Sequence, residues 1–368
     1  MKIVADDRIP FLKGVFEPFA EVVYLKGAAI TPADVADADA LIVRTRTKCG
    51  AALLRGSRVG FVATATIGYD HINADELAAL GIKWRSAPGC NAASVAQYLA
   101  AVLTGFGVPL AGRTLGVVGV GNVGRLAVKV GEALGMRVLR NDPPRAEAEG
   151  AAGFVPLDRI AAEADFVTLH VPKVAAGEHP TVGLLDERFF ASAKAGVCLV
   201  NAARGEAVRG EALKAALRSG KVAHAAVDVW ENEPEIDREL LSLCDFGTPH
   251  IAGYSTDGKA NGTTAAVRAV AKFFGIAALE EFRAVPPPPA NAAEIAADGS
   301  APVERELHRI VCHTFDLHRA AEDLKRDPAA FELLRGAAPL RREPFAYRVS
   351  GGSAELRNKL GALGFKLL

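Results

Sequence analysis

Short apolar runs alternate with longer stretches in which apolar residues recur every three or four positions, from the first residues to about residue 275. Strand-like runs fall at residues 2–5, 22–25, 41–43, 61–64 and 82–84, with Ala-rich helical segments such as 32–38 and 73–80 between them. Alternation of this kind predicts βαβ units and a parallel sheet. Residues 91–105 form a long Ala/Val/Leu stretch suited to a buried helix, and a second alternating series then begins. Its runs lie at 115–118, 138–139, 166–169, 197–200 and 225–229, with helical patterns such as 211–217 between. A helix at about 261–275 is placed to return to the first series. The expected fold class is α/β, with two Rossmann-like or flavodoxin-like parallel-sheet domains: residues 1–93, completed by 255–280, and residues 94–254.

The pattern changes at Pro286-Pro-Pro-Pro289, which is followed by an Ala/Asn/Asp/Gly/Ser stretch of linker character. Beyond it, Leu307, Ile310, Val311, Phe315 and Leu324 mark one amphipathic helix over 303–325. A strand at 345–349 and a helix at 353–363 follow. Residues 281–368 thus read as a small α+β domain without a catalytic motif, whose expected role is assembly of a homodimer, the commonest soluble oligomer.

Composition narrows the partners. Lys and Arg number 43 against 43 Asp and Glu, with no polybasic run, so a nucleic-acid surface is not expected. The five cysteines are scattered without a Cys-x-x-Cys spacing, which suggests buried thiols in a reducing compartment. Charges at Lys2, Asp6, Asp7 and Arg8 interrupt what a signal peptide would need. No apolar run reaches the roughly 18 residues of a membrane span. The expectation is a cytoplasmic protein with no membrane partner.

The chemistry-bearing residues sit at the ends of the apolar runs. Gly119-Val-Gly121-Asn122-Val123-Gly124 follows the 115–118 run and precedes a helical pattern. In such a loop the first glycine makes the tight turn, the second lets backbone approach a pyrophosphate, and the third lets helix and strand pack closely. The phosphates rest on the helix N-terminus, whose N–H groups favour negative charge. Asp142, about 20 residues further on, is placed to accept hydrogen bonds from an adenosine ribose and to repel a 2′-phosphate. Arg140 and Arg145 nearby keep NADP within reach.

Arg204, in Asn201-Ala-Ala-Arg204-Gly205, is the only charged group of its island, and its planar fork can grip a carboxylate bidentately. The bland alternative is a surface ion pair. His250, between Pro249 and Ile251, would alone read as a core histidine. Glu233 changes that reading, because a carboxylate bonded to one ring nitrogen fixes the tautomer and stabilises the imidazolium of a general acid/base. Arg44 follows the 41–43 run and is a candidate for a substrate phosphate, against the alternative of a solvated strand end. His308, His313 and His318 are five apart, a rotation of about 140° per step around one helix, so they are not expected to converge. Cys312 pairs with His308 at i, i+4, but two ligands are too few for zinc, and no metal is expected.

Taken together, Gly119-x-Gly121-x-x-Gly124-Arg125, Asn201-x-x-Arg204-Gly205, Asp228-Val-x-x-x-Glu233-Pro234 and Pro249-His250-Ile251-Ala252 resemble the D-2-hydroxyacid dehydrogenase family over about residues 1–275. Val43-Arg44-Thr45, Thr64-Ala65-Thr66, Asp142-Pro143-Pro144-Arg145 and Gly253-Tyr254 resemble one branch of it, acting on a phosphorylated four-carbon 2-hydroxy acid. A short Arg341-Arg342-Glu343 match extends the likeness into the tail.

The resemblance implies that Arg204, Glu233 and His250 are catalytic. It implies that Asp142, Val171, Asp228 and Gly253 contact NAD, and that Thr45, Thr66 and Tyr254 contact substrate. Thr45 and Val171 stand where a serine and a threonine are usual. Residues 1–93 become a substrate-binding lid domain and 94–254 the NAD-binding domain, with hydride passing from C2 of the acid to NAD. Arg341 or Arg342 could enter a partner subunit's site. A phosphoglycerate or glyoxylate/hydroxypyruvate enzyme shares the same three catalytic groups, and a nucleotide-sensing corepressor shares the fold. A methyltransferase or flavoprotein could use the glycine loop, but neither accounts for the arginine, glutamate and histidine.

Overall fold

In the computed structural model, which describes residues 1–338 and 341–368, the chain divides into two compact units. One comprises residues 1–91 and 255–287, the other residues 92–254 and 288–368.

The first unit is built on β1 (Lys2–Asp6), β2 (Glu21–Leu25), β3 (Ala40–Val43), β4 (Phe61–Thr64) and β5 (Lys83–Arg85). They form one parallel sheet in the order β2-β1-β3-β4-β5. Side chains alternate across a strand, so each run serves two cores. Ile3, Ala5, Ile42 and Ala63 face Val267, Val270 and Ala271 of helix Thr256–Phe274. Val4, Leu41, Val43 and Val62 face Leu53, Leu54 and Leu77 on the other side. Helix Thr256–Phe274 starts five residues before the expected 261 because Ser255 caps it, its hydroxyl accepting from the Gly258 N–H at 2.8 Å.

The second unit carries β6 (Thr114–Val118), β7 (Arg137–Asn141), β8 (Phe166–Leu169), β9 (Val197–Asn201), β10 (Val222–Val227) and β11 (Phe246–Gly247). Their order, β11-β10-β9-β8-β6-β7, is again parallel. The order in which successive strands are laid down reverses between β6 and β8, and in such sheets ligands bind outside the carboxyl ends of the strands at that switch point. Beyond β7, the Val155 N–H donates to the Arg140 carbonyl at 2.8 Å and so extends the sheet edge.

Residues after the 286–289 proline run share the second unit's core. Ile295, Leu307, Ile310, Val311, Tyr347 and Val349 are buried in one cluster with Leu99, Val102 and Leu115. They include a three-stranded parallel sheet, β12 (Glu294–Ala297), β13 (Arg348–Gly351) and β14 (Lys366–Leu367). β12 lies in the stretch read as linker. Its Glu and Ala residues have little strand preference, and pairing with β13 decides their conformation.

The expected helix over 303–325 is two helices, Val303–Thr314 and Leu317–Arg326. Phe315 is extended, and Asp316 caps the second helix by accepting from the Arg319 N–H at 3.0 Å. The strand expected at 345–349 sits slightly later, behind a short turn Pro344–Ala346, and the last helix is Ala354–Ala362. Among the described residues no helix is long and apolar enough to cross a membrane.

Two histidines are held neutral by burial: the pKa of His71 falls to about 4 and that of His170 to about 3. An unfolded imidazole binds a proton near pH 6.5, whereas these do not until far lower. The unfolded chain therefore binds more protons below 6.5, and stability falls with pH there. Thermal unfolding followed by circular dichroism is expected to show a midpoint that drops from pH 6.5 to 5, with a shallower drop in His71→Gln. A midpoint insensitive to pH over that range would contradict this account.

Candidate active site

The glycine loop has the geometry its sequence implies. Gly119 lies at φ +83°, where a side chain would also meet the His170 carbonyl oxygen at 2.7 Å and a methyl of Val171 at 2.9 Å. A Cβ on Gly124 would stand 1.9 Å from the Gly119 carbonyl oxygen, so helix Asn122–Ala133 can approach the loop only without one. Gly121, the residue before that helix, faces open space. The first-turn N–H groups, those of Asn122, Val123 and Gly124, lack partners within the helix and make an anion seat.

Asp142 fixes this seat. One carboxylate oxygen accepts from the Val120 N–H at 2.7 Å, and the other accepts from the Arg145 N–H at 3.2 Å, capping helix Pro143–Glu149. Arg145 pairs with Glu149 through two contacts, at 2.8 and 2.6 Å. Its cation is thereby already balanced by a neighbour, which weakens the case for a 2′-phosphate partner here. An open glycine, a free helix start and a carboxylate after β7 fit a dinucleotide.

The loops that carry the candidate residues Glu233 and His250 are assembled around Asp228, 1% exposed at the end of β10. One of its oxygens accepts from the Thr248 hydroxyl at 2.6 Å and the Ile251 N–H at 2.8 Å, and the other from the Ala252 N–H at 2.9 Å. Tyr98, fully buried in helix Ala92–Gly105, lies 2.9 Å from the Thr248 hydroxyl. Since the Thr248 proton goes to Asp228, Tyr98 is the donor in that pair. Burial pushes the Asp228 carboxyl up from its ordinary range, against the downward pull of His250 and of these donors. The Asp228 carboxylate turns inward and holds the histidine loop.

His250 emerges from that loop at φ +56°, a left-handed conformation uncommon for a residue with a Cβ. Its N–H donates to the Asp228 carbonyl at 2.8 Å, and its Nδ1 lies 2.8 Å from Glu233 Oε2. Glu233 Oε1 accepts from the Trp230 N–H at 2.9 Å. Burial favours the neutral acid at Glu233, but the His250 hydrogen bond and charge together with the Trp230 N–H hold its pKa below the ordinary value. Ionised, Glu233 can only accept, so His250 Nδ1 carries a proton and, in the neutral ring, the lone pair lies on Nε2.

Arg204 arrives from the end of β9. Asn201 braces the turn, accepting from the Ala203 N–H at 3.2 Å and donating to the Arg204 carbonyl at 3.0 Å. A Cβ on Gly205 would fall 2.1 Å from the Trp230 carbonyl carbon, so the absence of a side chain brings the Arg204 loop against the Glu233 loop. Arg204 Nη1 donates to the Ala203 carbonyl at 2.7 Å.

Val171 packs at the first glycine, and Gly253 and Tyr254 follow the histidine loop. The Tyr254 hydroxyl accepts from Arg335 Nε at 3.1 Å, and the Arg335 guanidinium carbon lies 5.7 Å from the Tyr254 ring centre. Arg335 also helps lower the Glu233 pKa. No local motif marks Arg335, which lies 81 residues from Tyr254 in sequence.

Arg341, considered for a partner's site, is buried within its own chain. Its Nη2 donates to the Ala252 carbonyl at 2.5 Å and to the Ser94 carbonyl and hydroxyl at 3.2 Å each, with its guanidinium carbon 3.9 Å from the Phe315 ring centre.

In the first unit, Arg44 Nε stands 3.6 Å from Asp6 Oδ2, too far for a hydrogen bond, and Thr45 is exposed beside it. The Thr66 hydroxyl donates to the Gly68 carbonyl at 2.9 Å and lies 2.7 Å from the Thr64 hydroxyl, which lies 3.0 Å from His71 Nε2. The only consistent proton order runs from His71 to Thr64 to Thr66. The Thr66 hydroxyl is thus held in a fixed direction by a neutral histidine.

The NAD binding domain of the D-isomer specific 2-hydroxyacid dehydrogenases matches residues 93–252. An erythronate-4-phosphate dehydrogenase of Bacteroides fragilis is 48% identical over 79% of this chain and 84% of its own. One from Pseudomonas putida is 42% identical over 89% and 86%. Among solved structures, the NAD+-bound 3-phosphoglycerate dehydrogenase of Entamoeba histolytica is similar with a TM-score of 0.64 at 25% identity, over 77% of this chain and 98% of that one. The chain belongs to the D-isomer specific 2-hydroxyacid dehydrogenases, NAD-dependent oxidoreductases, and its second unit carries their NAD-binding domain.

The two glycines separate cofactor binding from folding. Gly121→Ala, with open space around its Cβ, is expected to fold with an unchanged unfolding midpoint and to lose NADH affinity in a fluorescence titration. Gly124→Ala is expected to lower the unfolding midpoint as well, because its Cβ meets backbone. Equal stability in the two variants would contradict this packing.

Proposed function

We propose that this protein oxidises 4-phospho-D-erythronate to (R)-3-hydroxy-2-oxo-4-phosphooxybutanoate, a step toward pyridoxal 5′-phosphate, vitamin B6. The observation that carries the reading is the ionised Glu233 fixing the tautomer of His250 in the loop packed against that of Arg204. Relatives named erythronate-4-phosphate dehydrogenase at 40–48% identity over most of the chain support the choice of acid.

NAD, when bound, accepts the hydride from C2. The protein's own residues do the rest. His250 Nε2 takes the hydroxyl proton as the C2–H bond breaks, so that a carbonyl forms, two electrons leave with the hydride, and one proton stays on the ring. Glu233 stabilises the resulting imidazolium without itself taking the proton. Arg204 grips the C1 carboxylate and steadies negative charge on the C2 oxygen. We assign further substrate contacts to Arg44, Thr45, Thr66 and Tyr254, with Arg44 reading the phosphate.

The proposal extends to a cytoplasmic homodimer assembled through residues 281–368. Phe345, 45% exposed, and Leu368, 59% exposed, supply apolar surface there. Nucleic-acid and membrane partners are left out of the proposal on the balanced charge and the absence of a spanning helix among the described residues.

His250→Ala and Arg204→Ala are expected to reduce turnover by about 10²–10⁴-fold or more while NADH binding stays near normal, since both groups act on substrate. A His250→Ala enzyme with an ordinary rate would overturn the assignment. Arg44→Ala should raise KM for the phosphorylated acid far more than for its unphosphorylated analogue; equal effects would remove Arg44 from phosphate recognition.

A further inference from the structure

Outside the dehydrogenase machinery, three side chains with metal-ligand chemistry meet in the second unit. His308 and Cys312 lie on helix Val303–Thr314, and His318 lies in the first turn of Leu317–Arg326. The break at Phe315 and Asp316 folds His318 back toward His308, which a single continuous helix would have prevented. The ligand atoms of the three residues all lie within 4.8 Å of one another. His313 takes no part: its Nε2 lies 2.9 Å from the Ala292 carbonyl oxygen.

The proton bookkeeping of this cluster is informative. The Thr104 hydroxyl donates to the Ala100 carbonyl at 2.8 Å and stands 3.0 Å from His308 Nδ1. With its proton committed, Thr104 accepts from Nδ1–H, and His308 Nε2 is left with a lone pair. That nitrogen faces His318 Nε2 at 3.1 Å. An imidazole oriented through one N–H by a fixed acceptor, with its other nitrogen unprotonated, is how protein metal ligands are prepared; here that nitrogen accepts from the His318 N–H, a bond an ion would replace.

The spacing fits as well. Four-coordinate zinc with Zn–N of about 2.05 Å and Zn–S of about 2.3 Å places two ligand nitrogens about 3.3 Å apart and a nitrogen and sulfur about 3.6 Å apart. Here the nitrogens are 3.1 Å apart, and Cys312 Sγ is 3.6 Å from His308 Nε2. The sulfur is also 3.6 Å from Nδ1, so it stands over the ring face and must turn about its single side-chain torsion to share an ion with Nε2. Burial holds the Cys312 thiol up at about 12, so an ion binding here has to displace a firmly held proton.

We infer that His308, Cys312 and His318 form a binding site for a zinc-class divalent ion that fastens the two tail helices to helix Ala92–Gly105. The exposed side of His318 leaves a fourth position for water. Thr104 supplies the tie to helix Ala92–Gly105. His318 also lies edge-on to Phe246 of β11, ring centres 5.2 Å apart, so an ion here would lock this junction of the second unit. Imidazole and thiolate together favour zinc or its cobalt surrogate over magnesium or calcium.

The test uses the full-length protein, stripped with a chelator, dialysed and titrated with Co²⁺. One equivalent should bind with the visible bands of a four-coordinate ion and a thiolate-to-cobalt charge-transfer absorption, and Zn²⁺ should displace it. Cys312→Ser should lose the charge-transfer band, and His318→Gln should weaken uptake at least tenfold, both with NADH affinity retained. Zn²⁺ should raise the unfolding midpoint of the unaltered protein but not of His318→Gln. No stoichiometric uptake, or a thiolate band that survives in Cys312→Ser, would overturn the inference.

Discussion

The buried carboxylate of Asp228 is the contact on which the arrangement of the proposed active site depends. It gathers a hydroxyl and two backbone N–H groups from residues 248–252, and its own carbonyl takes the His250 N–H. These bonds hold His250 in a left-handed backbone conformation that costs of order 1–3 kcal/mol for a residue with a Cβ. That conformation goes with the ring position in which Nδ1 meets Glu233. Tyr98 extends the network into helix Ala92–Gly105, so the histidine loop is braced by a core element and not by loop contacts alone.

The tail serves the same loop from its other side. Arg341, with its charge buried and its pKa drawn down by burial to about 10, donates to the Ala252 carbonyl. A nearby countercharge offsets the cost of burying a cation; Asp228 and Glu343 provide it. Arg335 adds a bond to Tyr254. The last eighty or so residues, which carry no catalytic motif of their own, therefore shape the site of the chain they belong to.

What could be read from the sequence was whatever is local. The glycine loop, Asn201 to Gly205 and the Glu233 and His250 islands each announce themselves within a few residues of a strand end, and helix and strand periods place them on a parallel sheet. What could not be read depends on chain segments far apart. Asp228 turns inward because residues 248–252 return to it. Arg341 and Arg335 act on residues more than eighty positions away. β12 forms from Glu294–Ala297 only because β13 lies alongside, and the five-residue spacing of the histidines misled because it assumed one helix where Asp316 starts a second.

The central claim is that an ionised Glu233 and a base at His250 serve a phosphorylated four-carbon acid. A panel of 2-hydroxy acids with and without a terminal phosphate, followed by NADH fluorescence, tests it most directly. The account predicts that 4-phosphoerythronate has the highest kcat/KM, with its unphosphorylated counterpart lower by about two orders of magnitude or more, as expected where a substrate group has dedicated polar partners. Faster turnover of 3-phosphoglycerate than of 4-phosphoerythronate would contradict it.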